Sequence, residues 1–244
     1  MEQTRHLSPG EAQLWCLPLR LPAEKFARLQ SLLSADEIER SARFRKAANA
    51  QFYVSARGWL RTLLGSYLST QPGDLQFYYD GLGKPHLADE KDKISFSVSH
   101  SDEWGLFGFV LKHRIGVDLE RIRTDLEIEE LARRFFSPNE FRKLRSLPAD
   151  QRRMAFFCGW TRKEACLKAL GKGLSYGLDR IEVTLAPGES ATLIKMADDP
   201  NAFRRWTIHH LSPLATYVGA AAVEAQKVTF RSFGWGTSSP AELP

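Results

Sequence analysis

Three pairs of residues recur along this chain at nearly one spacing. Glu37 and Glu140 each stand three positions after a serine, Asp74 stands just before an expected strand and Asp179 near the start of one, and Gly65 and Gly171 each fall late in or just past a helix-like run. The separations are 103, 105 and 106 residues. Self-similarity at one fixed offset marks a repeated supersecondary unit, and it constrains the fold more than composition does. Any α+β chain carries capping boxes and helix-end glycines, but three independent markers sharing one offset favour two copies. A chain of 244 residues is long enough for two such units to build a core. The expected fold is therefore α+β: a pseudodimer of two similar α/β subdomains, with the halves at residues 1–115 and 116–233. Residues 234–244, rich in Gly, Ser and Pro, read as a disordered tail. Clefts between halves are common ligand sites, so the active site is expected at their interface.

Within the first unit, Ser34-Ala35-Asp36-Glu37 has the form of a capping box. A helix is expected over 48–68, then a Pro72-Gly73 turn, a strand over 75–79, and the loop Asp80-Gly81-Leu82-Gly83-Lys84-Pro85. Strands follow at 94–98, 105–111 and 115–119. The second unit opens on Ser137-Pro138-Asn139-Glu140, a capping box with proline at the first helical position. A helix over 151–169 ends at Gly171, and strands are expected at 178–183, 205–210 and 216–223.

The excess of positive charge, +5 with a pI near 9.1, favours an anionic partner. It does not favour nucleic acid, because no Lys/Arg block forms a tail and acidic residues are interspersed. No apolar run is long enough to span a bilayer, and residues 1–6 do not read as a signal peptide. Cys16, Cys158 and Cys166 show neither disulfide nor metal spacing and read as free thiols in a reducing cytoplasm.

Two stretches carry the chemistry. Gly116-Val117-Asp118-Leu119-Glu120 reads as a strand whose period of two turns both carboxylates to one face. Two acids at i, i+2 are common on solvated strands. The apolar setting of Ile115, Val117, Leu119 and Ile122 makes them costly unless paired or bound to metal. Trp160-Thr161-Arg162-Lys163-Glu164-Ala165-Cys166-Leu167-Lys168 reads as a helix with Trp160, Glu164 and Lys168 on one stripe. Glu164 and Lys168 alone make an ordinary surface pair; the tryptophan beside them argues for a partly buried face. If that stripe meets the strand, three carboxylates and an ammonium converge, a set suited to a divalent metal holding a diphosphate. Ser99 and His100 close a strand without a nucleophile elbow, which argues against a serine hydrolase and allows a phosphate contact. Gly83-Lys84-Pro85 lacks P-loop spacing and is either a plain turn or a cationic loop. Arg40, Arg43, Arg57 and Arg61 form either a solvated face or a phosphate clamp.

These motifs, in this order, resemble the 4'-phosphopantetheinyl transferases of the surfactin-synthetase-activating type. The match runs over about residues 34–185 and includes Phe135-Phe136-Ser137-Pro138-Asn139-Glu140 and Gly171-Lys172-Gly173-Leu174. The resemblance implies the pseudodimer fold and transfer of the phosphopantetheine arm of coenzyme A to a serine of an apo acyl- or peptidyl-carrier protein. It implies Mg²⁺ on Asp118, Glu120 and Glu164, and phosphate contacts from Ser99, His100 and Lys168. Gly83, Lys84 and Pro85 would border the adenine, with Arg40 near the 3'-phosphate. Glu37 stands where some members carry a basic residue, and Glu140 is either a third acidic site residue or a helix cap. Glu164 is expected to be the general base and Lys168 to stabilise the leaving phosphate. A monomer is expected, with Phe135, Phe136 and Phe141 in either a carrier-docking surface or the core. The alternative is a non-catalytic module that binds coenzyme A or a carrier protein.

Overall fold

The computed structural model describes residues 5–81, 83–88 and 94–234. Leu82 of the glycine loop and the expected tail beyond Gly234 lie outside the described residues.

The chain runs through β1 (Glu11–Pro18), α1 (Ala23–Gln30), α2 (Ala35–Ala42), α3 (Ala47–Leu68), β2 (Phe77–Tyr79), β3 (Pro85–Leu87), β4 (Ile94–Ser101), β5 (Trp104–Leu111) and β6 (Ile115–Arg121). It continues through α4 (Ile128–Phe135), α5 (Pro138–Ser146), α6 (Ala149–Leu170), β7 (Ile181–Val183), β8 (Leu193–Met196), β9 (Thr207–Leu211), β10 (Tyr217–Val223) and β11 (Thr229–Phe233). One sheet has the order β11-β1-β5-β4 and the other β6-β10-β9. In both, a first strand pairs antiparallel with a later one that pairs antiparallel with its predecessor. Between first and second strands, each half carries a capped short helix, a 22-residue helix, a 3-10 turn and a two-stranded ribbon. Strand β11 adds parallel to β1, so the C-terminal strand sits on the N-terminal sheet.

Side-chain alternation explains the stacking. Trp15, Leu17, Phe107 and Phe109 turn toward α3, whereas Ala12, Leu14, Cys16, Leu106 and Val110 turn toward the second sheet. There they meet Ile115, Val117, Leu119, Ala221 and Val223. The far face of that sheet, with Val218, Ala220 and Ala222, packs against α6. The order is helix, sheet, sheet, helix. Strands covered on both faces carry no polar alternation, which is why β10 is buried throughout.

The two capping boxes form, and both go further than a cap. Glu37 is 1% exposed; it accepts from Ser34 N at 3.1 Å and from Arg61 Nε at 2.7 Å, and Arg57 closes on its other oxygen. Glu140 is 2% exposed; it accepts from Ser137 N at 2.8 Å and Val183 N at 2.9 Å, and pairs with the buried Lys163. Arg57 and Arg61 are therefore interior counter-charges and not a phosphate clamp, and Glu140 is a cap and not a site residue.

Two expectations need correction. Gly65 and Gly171 do not hold equivalent positions: Gly171, like Ser69, takes a left-handed conformation just past its long helix, while Gly65 lies inside α3 against Thr70 O. Residues 178–183 are not one strand, because Leu178–Arg180 forms a 3-10 turn before β7. Among the described residues no helix is long and apolar enough to cross a membrane.

Candidate active site

The site begins with a missing side chain. A β-carbon on Gly116 would lie 1.9 Å from Ala165 O and 2.5 Å from Ala169 N, so only glycine lets α6 lie directly on β6. Period two then turns Asp118 and Glu120 to the same face, toward the helix. The i, i+4 stripe of α6 meets them: Lys168 Nζ donates to Asp118 Oδ1 at 2.7 Å, Glu164 lies within electrostatic reach of both acids, and Trp160 joins Glu120 in lining a small cavity of about 140 Å³.

Strand β4 supplies the opposite wall. Ser99 Oγ donates to Asp118 Oδ1 at 2.9 Å and receives Lys168 Nζ at 2.8 Å; Ser101 Oγ donates to Glu120 Oε2 at 3.2 Å. The same hydroxyls accept from β6: Val117 N to Ser97 at 3.1 Å, Leu119 N to Ser99 at 3.3 Å and Arg121 N to Ser101 at 3.1 Å. Serine side chains thus replace a backbone ladder between the sheets. The resemblance assigns a role to Ser99 alone among these serines; the alternation at 95, 97, 99 and 101 is the sequence signal for the others.

From this polar end a cleft of about 390 Å³ runs between Glu164, Lys168 and the segment Gly83, Lys84, Pro85, floored by Phe96 and Val98. A second cleft of about 500 Å³ shares Lys84, Pro85 and Phe96 with it and is edged by Lys112 and Arg114. Lys84 Nζ donates to Lys168 O at 2.9 Å, which ties the glycine loop to the end of α6. His100 stands exposed beside Ser99. Arg40 lines neither cleft. It is exposed and lies over Tyr53 and Tyr79, at 5.7 and 5.6 Å, and Tyr79 is the strand partner of Pro85. Phe136 is buried in the core, and Phe135 stands edge-on to Trp160 at 5.5 Å.

The electrostatics are those of a crowded acidic centre beside cations. Burial, then the Asp118 charge, pushes Glu120 up to about 7; the same two causes push Glu164 up to about 7 against the opposing Lys168. Burial, then nearby Lys168 and Arg114, lowers Lys84 in spite of Asp80. His100 keeps solvent access, yet the protein packed around its ring, then Lys168, lowers it. Asp118 Oδ2 is buried with no partner.

This donor set fits a hard divalent cation: all oxygen, mutually repelling, with one orphaned carboxylate oxygen. Among the described residues no three such groups already close around an ion. Mg²⁺ commonly takes only one or two carboxylates and completes its shell with water and substrate phosphate, so an open set suits it.

Comparison with known proteins identifies the family. The profile of the 4'-phosphopantetheinyl transferase superfamily matches residues 114–222, and that of 4'-phosphopantetheinyl transferase, N-terminal, matches residues 21–108. The chain is 38% identical over 231 residues to 4'-phosphopantetheinyl transferase HetI of Nostoc sp., covering 94% of this chain and 91% of that one. It is 31% identical over 166 residues to 4'-phosphopantetheinyl transferase Sfp of Bacillus subtilis, covering 68% and 72%. The crystal structure of Thermotoga maritima holo-[acyl-carrier-protein] synthase aligns with 46% of this chain and 63% of its own at 23% identity, with a TM-score of 0.37.

Proposed function

Since the chain belongs to the 4'-phosphopantetheinyl transferase superfamily, we propose that it moves the phosphopantetheine arm of coenzyme A onto a serine of an apo acyl- or peptidyl-carrier protein, releasing adenosine 3',5'-bisphosphate. The observation that carries this reading is the meeting of Asp118, Glu120, Glu164 and Lys168 at one end of a cleft bordered by Gly83, Lys84 and Pro85.

In this reading the cleft takes the nucleotide end of coenzyme A, with Lys84 and Pro85 beside the base and Ser99, His100 and Lys168 toward the phosphates. Arg40 serves the 3'-phosphate from the rim. The carrier serine oxygen attacks the phosphorus that bears the pantetheine arm, and the diphosphate bridge breaks on the nucleotide side. Glu164 takes the serine proton; a carboxyl held near neutrality by burial and a neighbouring charge is suited to that role. Lys168 neutralises charge on the departing phosphate. Asp118, Glu120 and Glu164 would hold Mg²⁺, which when bound offsets the diphosphate charge and fixes its orientation.

The two halves, 1–115 and 116–233, are read as copies of one unit with the site between them. Their matching element order and the matched pairs Glu37–Arg61 and Glu140–Lys163 support this. A duplicated chain already brings both walls of the site, which fits a monomer acting in the cytoplasm.

The test is incubation of apo carriers from fatty-acid, polyketide and peptide-synthetase systems with coenzyme A, with and without Mg²⁺, followed by mass spectrometry. The expected result is a Mg²⁺-dependent gain of one phosphopantetheine mass, lost in Asp118→Asn. Absence of a gain on every carrier would overturn the reading.

A further inference from the structure

Among the described residues, buried charges come with their opposites, with one exception. Arg57 and Arg61 share Glu37, Lys163 has Glu140, and Asp118 has Lys168. Arg162 is 1% exposed, yet among the described residues no carboxylate lies within ion-pair distance of it. Among the described residues its hydrogen-bond partners are the carbonyl and hydroxyl of Thr184, and its Nε is buried without an acceptor. Cys158 lies near, but burial pushes that thiol up and keeps it neutral. Glu189 reaches Arg162 only through space, and its carboxylate accepts from Ala186 N. An interior guanidinium without a counter-charge is costly, and replacing or pairing it would be the ordinary remedy.

Arg162 lines a cavity of about 540 Å³ on the α6 face away from the acidic centre, between the 187–191 loop and β9. Across it stand His210 and Ser212, and Glu189 of the 187–191 loop also lines it. His210 Nδ1 is a second buried polar atom with no partner, while its Nε2 lies 3.1 Å from Ser212 Oγ. His209, its neighbour on the strand, turns to the opposite face, where its ring stacks on Phe230 at 4.6 Å. Burial, then Arg162, lowers His210, so at neutral pH its ring keeps one N–H to donate.

The geometry points to a second ligand site here: the Arg162 cavity binds the oxyanion group, phosphate or carboxylate, of a small molecule. A planar guanidinium paired with imidazole and hydroxyl donors is the ordinary receptor for such a group. The cavity is roomy enough for a small metabolite attached to it. None of its residues belongs to the acidic centre or its clefts, so occupancy is independent of the transferase reading.

The experiment follows the histidine ring resonances of the full chain by NMR during separate titrations with inorganic phosphate and with acetate at fixed ionic strength. The His210 ring should shift and saturate while His209, on the far face of the strand, responds little, and the anion that saturates His210 at lower concentration identifies the group. Arg162→Gln should weaken that binding at least about tenfold, about 1.4 kcal/mol. Ala191→Phe, which fills the cavity without touching the arginine, should abolish it and stands in if Arg162→Gln does not fold. Any phosphate shift of His100 should survive in both variants. A His210 ring that ignores both anions, or that responds equally in Arg162→Gln or Ala191→Phe, would overturn the assignment.

Discussion

Gly116 and Ala165 are in backbone contact: a β-carbon on the glycine would stand 1.9 Å from the alanine carbonyl oxygen. This contact sets the distance between β6 and α6, and hence whether Asp118 can meet Glu164 and Lys168. Gly116→Ala is expected to cost about 3 kcal/mol, the upper end for overpacking, since neither backbone can yield cheaply. Transfer should fall with it. A urea midpoint and transfer rate both close to wild type would show that the layers are not so tightly apposed.

Glu164→Gln separates chemistry from folding. The carboxylate is pushed up by burial and by Asp118, so removing its charge relieves repulsion. Without Mg²⁺ the variant should melt no lower than wild type, while transfer falls by about two to four orders of magnitude. Undiminished transfer would remove Glu164 from the role of base.

Glu37→Gln tests the interior carboxylate of the first half. Burial raises its pKa, but Arg57 and then Arg61 outweigh burial, and the net direction is down from 4.5. A depressed carboxyl contributes stability above its unfolded pKa and loses it as pH falls through the folded value. The substitution leaves two buried arginines without a counter-charge, costing about 3–5 kcal/mol at neutral pH. Denaturation against pH should show the gap between variant and wild type closing only below the ordinary Glu range. A gap that is constant with pH would mean that packing and not charge is lost.

A carrier that docks by charge should be sensitive to salt. Helices α4 and α5 expose Arg133, Arg134, Arg142, Lys143 and Arg145 on the half that carries Glu164. The kcat/KM for an acidic carrier is expected to drop on the order of tenfold from low to high ionic strength, with kcat little changed. A salt-independent kcat/KM would exclude electrostatic steering.

Much of this was legible in the residues, for definite reasons. The long helices and β6 declared themselves through periodicity, and the meeting of Asp118 with Lys168 followed from periods of two and 3.6 on facing elements. The two capping carboxylates Glu37 and Glu140 were legible, though Gly65 does not match Gly171, because a glycine inside a helix and one at its end look alike in sequence. Strand β1 was not legible: it is buried on both faces, so polar alternation is missing. Arg57 and Arg61 misled because an arginine on a helix looks solvated until its buried carboxylate is found 20 or 24 residues away. The isolation of Arg162 was invisible for the same reason, since a missing partner leaves no mark on the chain.

The serine rungs between β4 and β6 have one more consequence. Where two sheets share a main-chain ladder, their spacing is dictated by peptide geometry; here it is set by three hydroxyls. The width and polarity of the gap can therefore be retuned one side chain at a time while each sheet keeps its register. Such a joint lets a protein adapt its gap to new ligands without rebuilding its frame.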